Sequence, residues 1–175
     1  YVAEREPQAT RVMHMSWSPC EEQSKVMYNG RFAKEEDARS AMFELQKNAY
    51  LHGSSIYATE YNMMVPSNYA MQYALNVLGF QEHSGEKDPD KNNEYQAIKG
   101  EISLFRDETC HLTVSDSTGP YGRVLAGLAW YEYLTGNDAR ENPYQNSKLP
   151  ENMMELLTNT SYDNVLEIKP YATLS

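Results

Sequence analysis

Apolar positions along the chain change their period several times, and each change marks an element. In RVMHMSW, residues 11–17, side chains alternate with Val12 as a core candidate, which predicts a short buried strand ending near Trp17 and closed by Ser18-Pro19. After a loop through Asn29-Gly30, the residues Ala38, Ala41, Met42, Leu45 and Ala49 recur at helical spacing from Glu35 to His52. Glu35, Glu36 and Asp37 fill the first turn, where the macrodipole favours acids, and Gly53 reads as the stop. SIYATEYNMMV, residues 55–65, is rich in β-formers and predicts a second strand halted by Pro66. Ala70, Met71, Ala74, Leu75 and Leu78 then restore the helical period from Asn68 to Leu78, with Gly79 as cap.

From residues 81 to 100 the pattern gives way to charges mixed with Gly, Pro and Asn, which reads as a surface loop or insertion. A short apolar piece, Ile102 to Phe105, leads into the most organised stretch, Phe105 to Gly136. That stretch opens with an acid-rich turn ending in His111 and breaks at Gly119-Pro120. It continues as a helical run through Val124, Leu125, Leu128, Ala129 and Leu134, and stops at Gly136. Residues 137–150 read as irregular surface, Glu151 to Leu157 as a short helix, and Asn164 to Ile168 as one more. Strand, helix, strand, helix in that order predicts an α/β layer architecture with parallel strands. The length of 175 residues and a hydrophobic content of 41% fit one domain, 1–175, with a real core.

Charge narrows the partners. A formal net charge of −10 and no cluster of Lys or Arg argue against nucleic acid. No apolar run approaches the roughly 18 residues of a membrane span, and YVAEREPQAT lacks the pattern of a secretory signal. Cys20 and Cys110 are as ordinary in a secreted protein as in a cytosolic one. The 14 tyrosines, with Trp, Asn and Met, lean toward an extracellular or periplasmic carbohydrate-handling protein. Asn159-Thr160-Ser161 forms a glycosylation triplet of a kind that arises often by chance.

The candidate chemistry centres on His111, a loop histidine a few residues after Asp107 and Glu108 and just before a core helix, which is how a general base is presented. Either carboxylate can orient the imidazole. Cys110 is no dyad partner for His111, because adjacent residues in an extended turn point apart. Asp116 reads as a turn or helix N-terminal residue. His14 and Trp17 sit at the carboxyl end of the first strand, the edge where open α/β sheets bind ligands, as a pocket wall or as core packing. No phosphate loop, dinucleotide fingerprint or metal triad is present, so no cofactor and no metal are expected.

HLTVSDSTGPYGRVLAGLAWYEYLTG resembles the final catalytic block of the SGNH (GDSL-like) hydrolases, in a mostly bacterial branch where an Asp-x-x-His-Leu-Ser turn precedes a helix close to GRYLAGLTWYEVLTG. Met64-Val65-Pro66-Ser67, followed by Ala70, Gln72 and Ala74, resembles that branch's strand-to-helix turn, and Val12 to Trp17 its strand ending in His-x-x-Trp. The resemblance covers most of residues 11–136. It implies a three-layer α/β/α, flavodoxin-like sandwich of which this chain is the C-terminal part, and cleavage of an ester, such as an acyl or acetyl group on a carbohydrate. His111 would be the base. The family spacing puts an Asp where Glu108 stands, with Asp107 one residue earlier, so either is the candidate acid.

The family's Gly-Asp-Ser block, its Gly and its oxyanion Asn are not recognisable here, and Gly53-Ser54-Ser55 lies where the family has an ordinary turn. The resemblance therefore implies a nucleophile outside this sequence and an isolated chain that is inactive. A preceding segment or a partner chain would complete the sheet. The competing expectation is a non-catalytic, degenerate SGNH module for glycan binding or assembly.

Overall fold

The computed structural model describes residues 2–17, 35–56, 63–82, 85, 87–91, 94–95, 102–105, 111–113, 120–142 and 144–166. Over these residues the protein is mixed α/β and mostly helical. Its elements are α1 (Val2–Arg5), β1 (Val12–His14), α2 (Glu35–Ile56), β2 (Met63–Val65), α3 (Ser67–Asn76), β3 (Lys87–Asp88), β4 (Glu94–Tyr95), α4 (Tyr121–Thr135) and α5 (Glu151–Ser161). A 3-10 turn at Ala139–Glu141 links α4 to α5, and a π turn, Tyr162–Leu166, follows α5.

β1 and β2 pair in parallel, with Val12 opposite Met63 and His14 opposite Val65. The parallel order expected from the sequence is therefore present in this pair, and the connection between them carries α2. Met15 N–H extends the ladder by donating to the Val65 carbonyl at 2.9 Å. Since backbone groups alternate in direction along a strand, Met64 points away from β1, and its N–H donates to the Tyr133 hydroxyl at 3.0 Å. A side chain from α4 thus occupies the outer edge of β2.

α4 forms because a long apolar run sits between Pro120, which serves as N-cap, and Gly136, which takes the left-handed conformation (φ 71°) and donates its N–H to the Glu132 carbonyl at 2.8 Å. Gly122, Val124, Leu125, Ala126, Leu128, Ala129, Glu132 and Tyr133 are all buried, so the helix is enclosed on most of its circumference. Ala70, Met71, Ala74 and Leu75 of α3, Met154 and Leu157 of α5, and Val165 complete that core. Burying a side chain of this size stabilises by about 1.5–3 kcal/mol, and the core gathers around α4.

The junction between α4 and α5 is polar and buried. Glu132, 0% exposed, accepts from Ala139 N–H at 3.0 Å and from the Ser161 hydroxyl at 2.5 Å. Burial raises its pKa above the usual carboxylate value, and the bonds from Ser161 and Ala139 oppose that rise. Arg140 forks onto Asp138 with contacts of 2.5–3.0 Å, and its guanidinium lies 3.4 Å from the Tyr162 ring centroid.

Several sequence expectations shift. α2 runs through Gly53 to Ile56, because a single glycine costs a helix only about 1 kcal/mol. The second strand is confined, among the described residues, to Met63–Val65. Leu45 is 56% exposed and Ala49 is exposed, so the apolar stripe of α2 is buried only in part, at Met42. The expected loop at 81–100 contains a hairpin, β3 paired antiparallel with β4 around a 3-10 turn at Pro89–Lys91. α5 extends past Leu157 to Ser161. In it Thr160 and Ser161 are buried and Asn159 is half-buried.

Candidate functional site at the carboxyl edge of the parallel pair

Parallel pairing places the carboxyl ends of β1 and β2 side by side. β1 continues through His14, Met15, Ser16 and Trp17; β2 turns at Pro66 directly into Ser67, the first residue of α3. Asn68 N–H donates to the Met15 carbonyl at 3.2 Å, which fixes the start of α3 against the end of β1. The Ser16 hydroxyl meets the Tyr50 hydroxyl at 3.3 Å and ties α2 to the same edge.

At this edge His14 Nε2 lies 3.0 Å from Ser67 Oγ. The imidazole is enclosed by two indoles: Trp17 stands edge-on with centroids 5.9 Å apart, and Trp130 of α4 is tilted at 5.0 Å. Trp17 in turn packs on Phe105 at 6.3 Å. Such pairs add about 0.5–1.5 kcal/mol each beyond area burial. Burial lowers the His14 pKa from its ordinary value, so the ring is neutral at pH 7. A neutral imidazole held by one nitrogen offers stacking and hydrogen bonding rather than charge.

A buried Ser bonded to a His at a strand-to-helix turn invites comparison with a nucleophile and its base. Three observations speak against that role. Ser67 is 0% exposed, so no substrate reaches it. The Asn68 N–H, which would hold an oxyanion, is already bonded to Met15. Among the described residues no carboxylate bonds to the other nitrogen of His14. Ser67 therefore acts as the anchor of the His14 ring. Beside it, neither side-chain polar atom of Asn68 nor Nε2 of Gln72, one turn on, has a hydrogen-bond partner among the described residues.

The turn bearing His111 closes at the same edge. Phe105 bridges Leu112 in antiparallel fashion, and Thr113 N–H donates to the Leu104 carbonyl at 2.9 Å. The Thr113 hydroxyl donates to the Ser103 and Leu104 carbonyls, both at 3.2 Å, and accepts from Gly122 N–H at 3.0 Å. This knot fastens both feet of the turn to the start of α4. His111, directly before Leu112, is exposed. Asp107, Glu108, Cys110 and Asp116 lie outside the described residues, as does Cys20.

Of the residues singled out from sequence, His14 and Trp17 do stand together, and Trp17 touches Phe105 at the foot of the His111 turn. Ser67, Phe105 and Trp130 were missed as edge residues. Trp130 sits in a helical run that reads as scaffold throughout, and the His14–Ser67 contact spans 53 positions, beyond any local pattern. The only local signal for Ser67 is its place just after Pro66, at a strand-to-helix turn.

Among the described residues no group of three or more His, Cys, Asp or Glu is placed to hold a metal ion, and no helix is long and apolar enough to cross a membrane. Comparison with protein-family models, with curated proteins and with solved structures yields no match to this chain.

Proposed function

We propose that this chain supplies the base-bearing part of an SGNH-like ester hydrolase, acting on an acyl or acetyl ester of a carbohydrate. One observation carries the reading: the Trp17–Phe105 contact and the Phe105–Leu112 bridge join the aromatic edge around His14 to the foot of the His111 turn. Two parts of the chain, each suspected from sequence on separate grounds, belong to one edge.

In this reading His111 takes the proton of a serine hydroxyl that attacks the ester carbonyl, and Asp107 or Glu108 orients its ring. Trp17, with the neutral His14 and Trp130 behind it, forms the wall against which the acyl group or sugar rests. The serine comes from polypeptide beyond this sequence, in a preceding segment or a partner chain, and the full architecture is the three-layer sandwich. The state of the sheet supports this: Tyr133 covers the outer edge of β2, whereas among the described residues β1 pairs with β2 alone and keeps its other edge.

The test is fluorophosphonate labelling of the native protein with any polypeptide that accompanies it. The label is expected on a serine outside residues 1–175 and is expected to be lost in His111→Ala. A native preparation that takes no label, or a label that survives the substitution, overturns the reading. A second reading, a non-catalytic module that binds glycan, draws on the exposure of His111, and is favoured if glycan binds while the label does not.

A further inference from the structure

We propose that a cleft between α4 and the loop that follows it binds an acidic sugar, a pyranose ring bearing a carboxylate. The cleft measures about 390 Å³, at the lower end of the ~300–1,000 Å³ typical of small-ligand sites. It uses residues different from those of the aromatic edge and does not rest on the hydrolase reading.

Its floor is the apolar side of α4, where Val124 and Leu128 are buried. Gly127 stands between them on the helix with no side chain, and a Cβ there would meet nothing within 4 Å. Tyr131, half-buried, and Tyr144, 52% exposed, supply aromatic surface. The C–H face of a pyranose is apolar and packs on such a ring, while its hydroxyls need polar partners.

The loop wall is already shaped. Asn142 Oδ1 accepts from Tyr144 N–H at 2.9 Å and Asn146 Oδ1 from Lys148 N–H at 3.0 Å. Asn146 Nδ2 donates to the Tyr144 hydroxyl at 3.2 Å and steadies the ring. A wall organised before binding spares the ligand the cost of ordering it. These local bonds use the amide oxygens. The lining residues Asn142 and Arg123 keep N–H donors that these bonds do not use, which favours a ligand rich in acceptors.

Arg123 makes that preference anionic. It is exposed, it lines the cleft, and among the described residues it forms no hydrogen bond or ion pair. It also stands in the first turn of α4, which has no acid. A cation there opposes the helix macrodipole. In a chain with 25 acidic and 15 basic residues, an arginine in an adverse position and without a carboxylate is unusual. A ligand carboxylate would satisfy the guanidinium.

Isothermal titration calorimetry of the chain with D-galacturonate, its α-1,4-linked dimer and D-galactose tests the proposal, with circular dichroism to verify that each variant folds. The acidic sugars are expected to bind, with D-galactose weaker by roughly ten-fold, the value of one charge-assisted hydrogen bond. Arg123→Gln should lose the same factor for the acidic sugars. Gly127→Leu, which fills the floor at a position with open space, should abolish binding. His14→Ala should leave it unchanged. The proposal is overturned if the acidic sugars give no binding heat, if D-galactose binds equally well, or if Arg123→Gln binds like the parent. Loss of binding in His14→Ala alone would locate the sugar at the aromatic edge and would also overturn it, while an absent fluorophosphonate label leaves this result untouched.

Discussion

Replacing Gly122 by alanine tests the seam between α4 and the strand-like segment 102–105. An ideal Cβ at Gly122 would lie 2.1 Å from the Leu104 carbonyl oxygen and 3.2 Å from Leu112 Cδ2. Carbon and oxygen approach to about 3.3–3.6 Å even in a favourable C–H···O contact, so the backbones must part by roughly 1.2 Å. That separation pulls on the knot around Thr113, where Leu104 O accepts from Thr113 N–H at 2.9 Å and Gly122 N–H donates to the Thr113 hydroxyl at 3.0 Å. Losing two buried bonds of about 0.5–1.5 kcal/mol each, and stranding one donor or acceptor at about 1–3 kcal/mol, gives a cost of about 2–6 kcal/mol. Alanine returns about 1 kcal/mol through helix propensity, leaving about 1–5 kcal/mol out of a typical total of about 5–15 kcal/mol.

Urea and thermal unfolding followed by circular dichroism read this directly. At this chain length 1 kcal/mol moves Tm by about 2–4 °C, so Gly122→Ala should melt roughly 2–20 °C lower. Gly127→Ala, on the same helix but with nothing within 4 Å, is the matched control and should gain up to about 1 kcal/mol. A Gly122→Ala protein that melts with the parent and keeps its urea m-value would refute the close approach and the claim that α4 fixes the feet of the His111 turn.

Two further outcomes follow from buried titratable groups. Glu132 has a raised folded pKa, so the folded state holds its proton more tightly than the unfolded chain does; that contribution is present below the unfolded value and is lost as pH rises through the folded one. Glu132→Gln, which can still accept from Ala139 and donate to Ser161, should therefore flatten the decline of stability above pH 4.5, whereas Glu132→Ala should cost about 2–4 kcal/mol at any pH by stranding both partners; equal pH profiles for Glu132→Gln and the parent would sink the argument. His14 has a lowered folded pKa, so its share of stability is complete above 6.5 and falls away as pH drops through the folded value. Imidazole NMR shifts should show His14 titrating below 6.5, and a midpoint at or above that value would contradict its enclosure by Trp17 and Trp130.

The helical core was legible in the sequence because its signals are local and agree with one another. Pro120, the run from Val124 to Ala129 and Gly136 all describe one helix, and α4 follows them. Local signals failed where the answer depended on what lies opposite. The stripe containing Leu45 says which side of α2 is apolar, but not whether another layer covers it, and Leu45 is exposed. Gly53 carries a weak propensity that the surrounding helix overrides. Glu132 had a readable signal, a lone acid between two tyrosines in an apolar run, yet its partners Ala139 and Ser161 lie on elements whose approach no pattern specifies. At the edge, His14 and Trp17 were visible through strand polarity, whereas the anchoring of His14 by Ser67 needed the parallel register of β1 and β2.

The bond from Met64 N–H to the Tyr133 hydroxyl bears on how copies of this protein can associate. Fibrillar growth by strand addition needs two free edges on every copy, one to receive and one to offer. Here a phenol sits where the carbonyl of an incoming strand would dock on β2, so among the described residues the β1–β2 pair offers only its β1 side. Joining two such sides consumes both, so strand addition through this pair stops at two copies. A single tyrosine thus acts as a chain terminator for polymerisation through the β1–β2 pair while leaving the opposite side of that pair available for one partner.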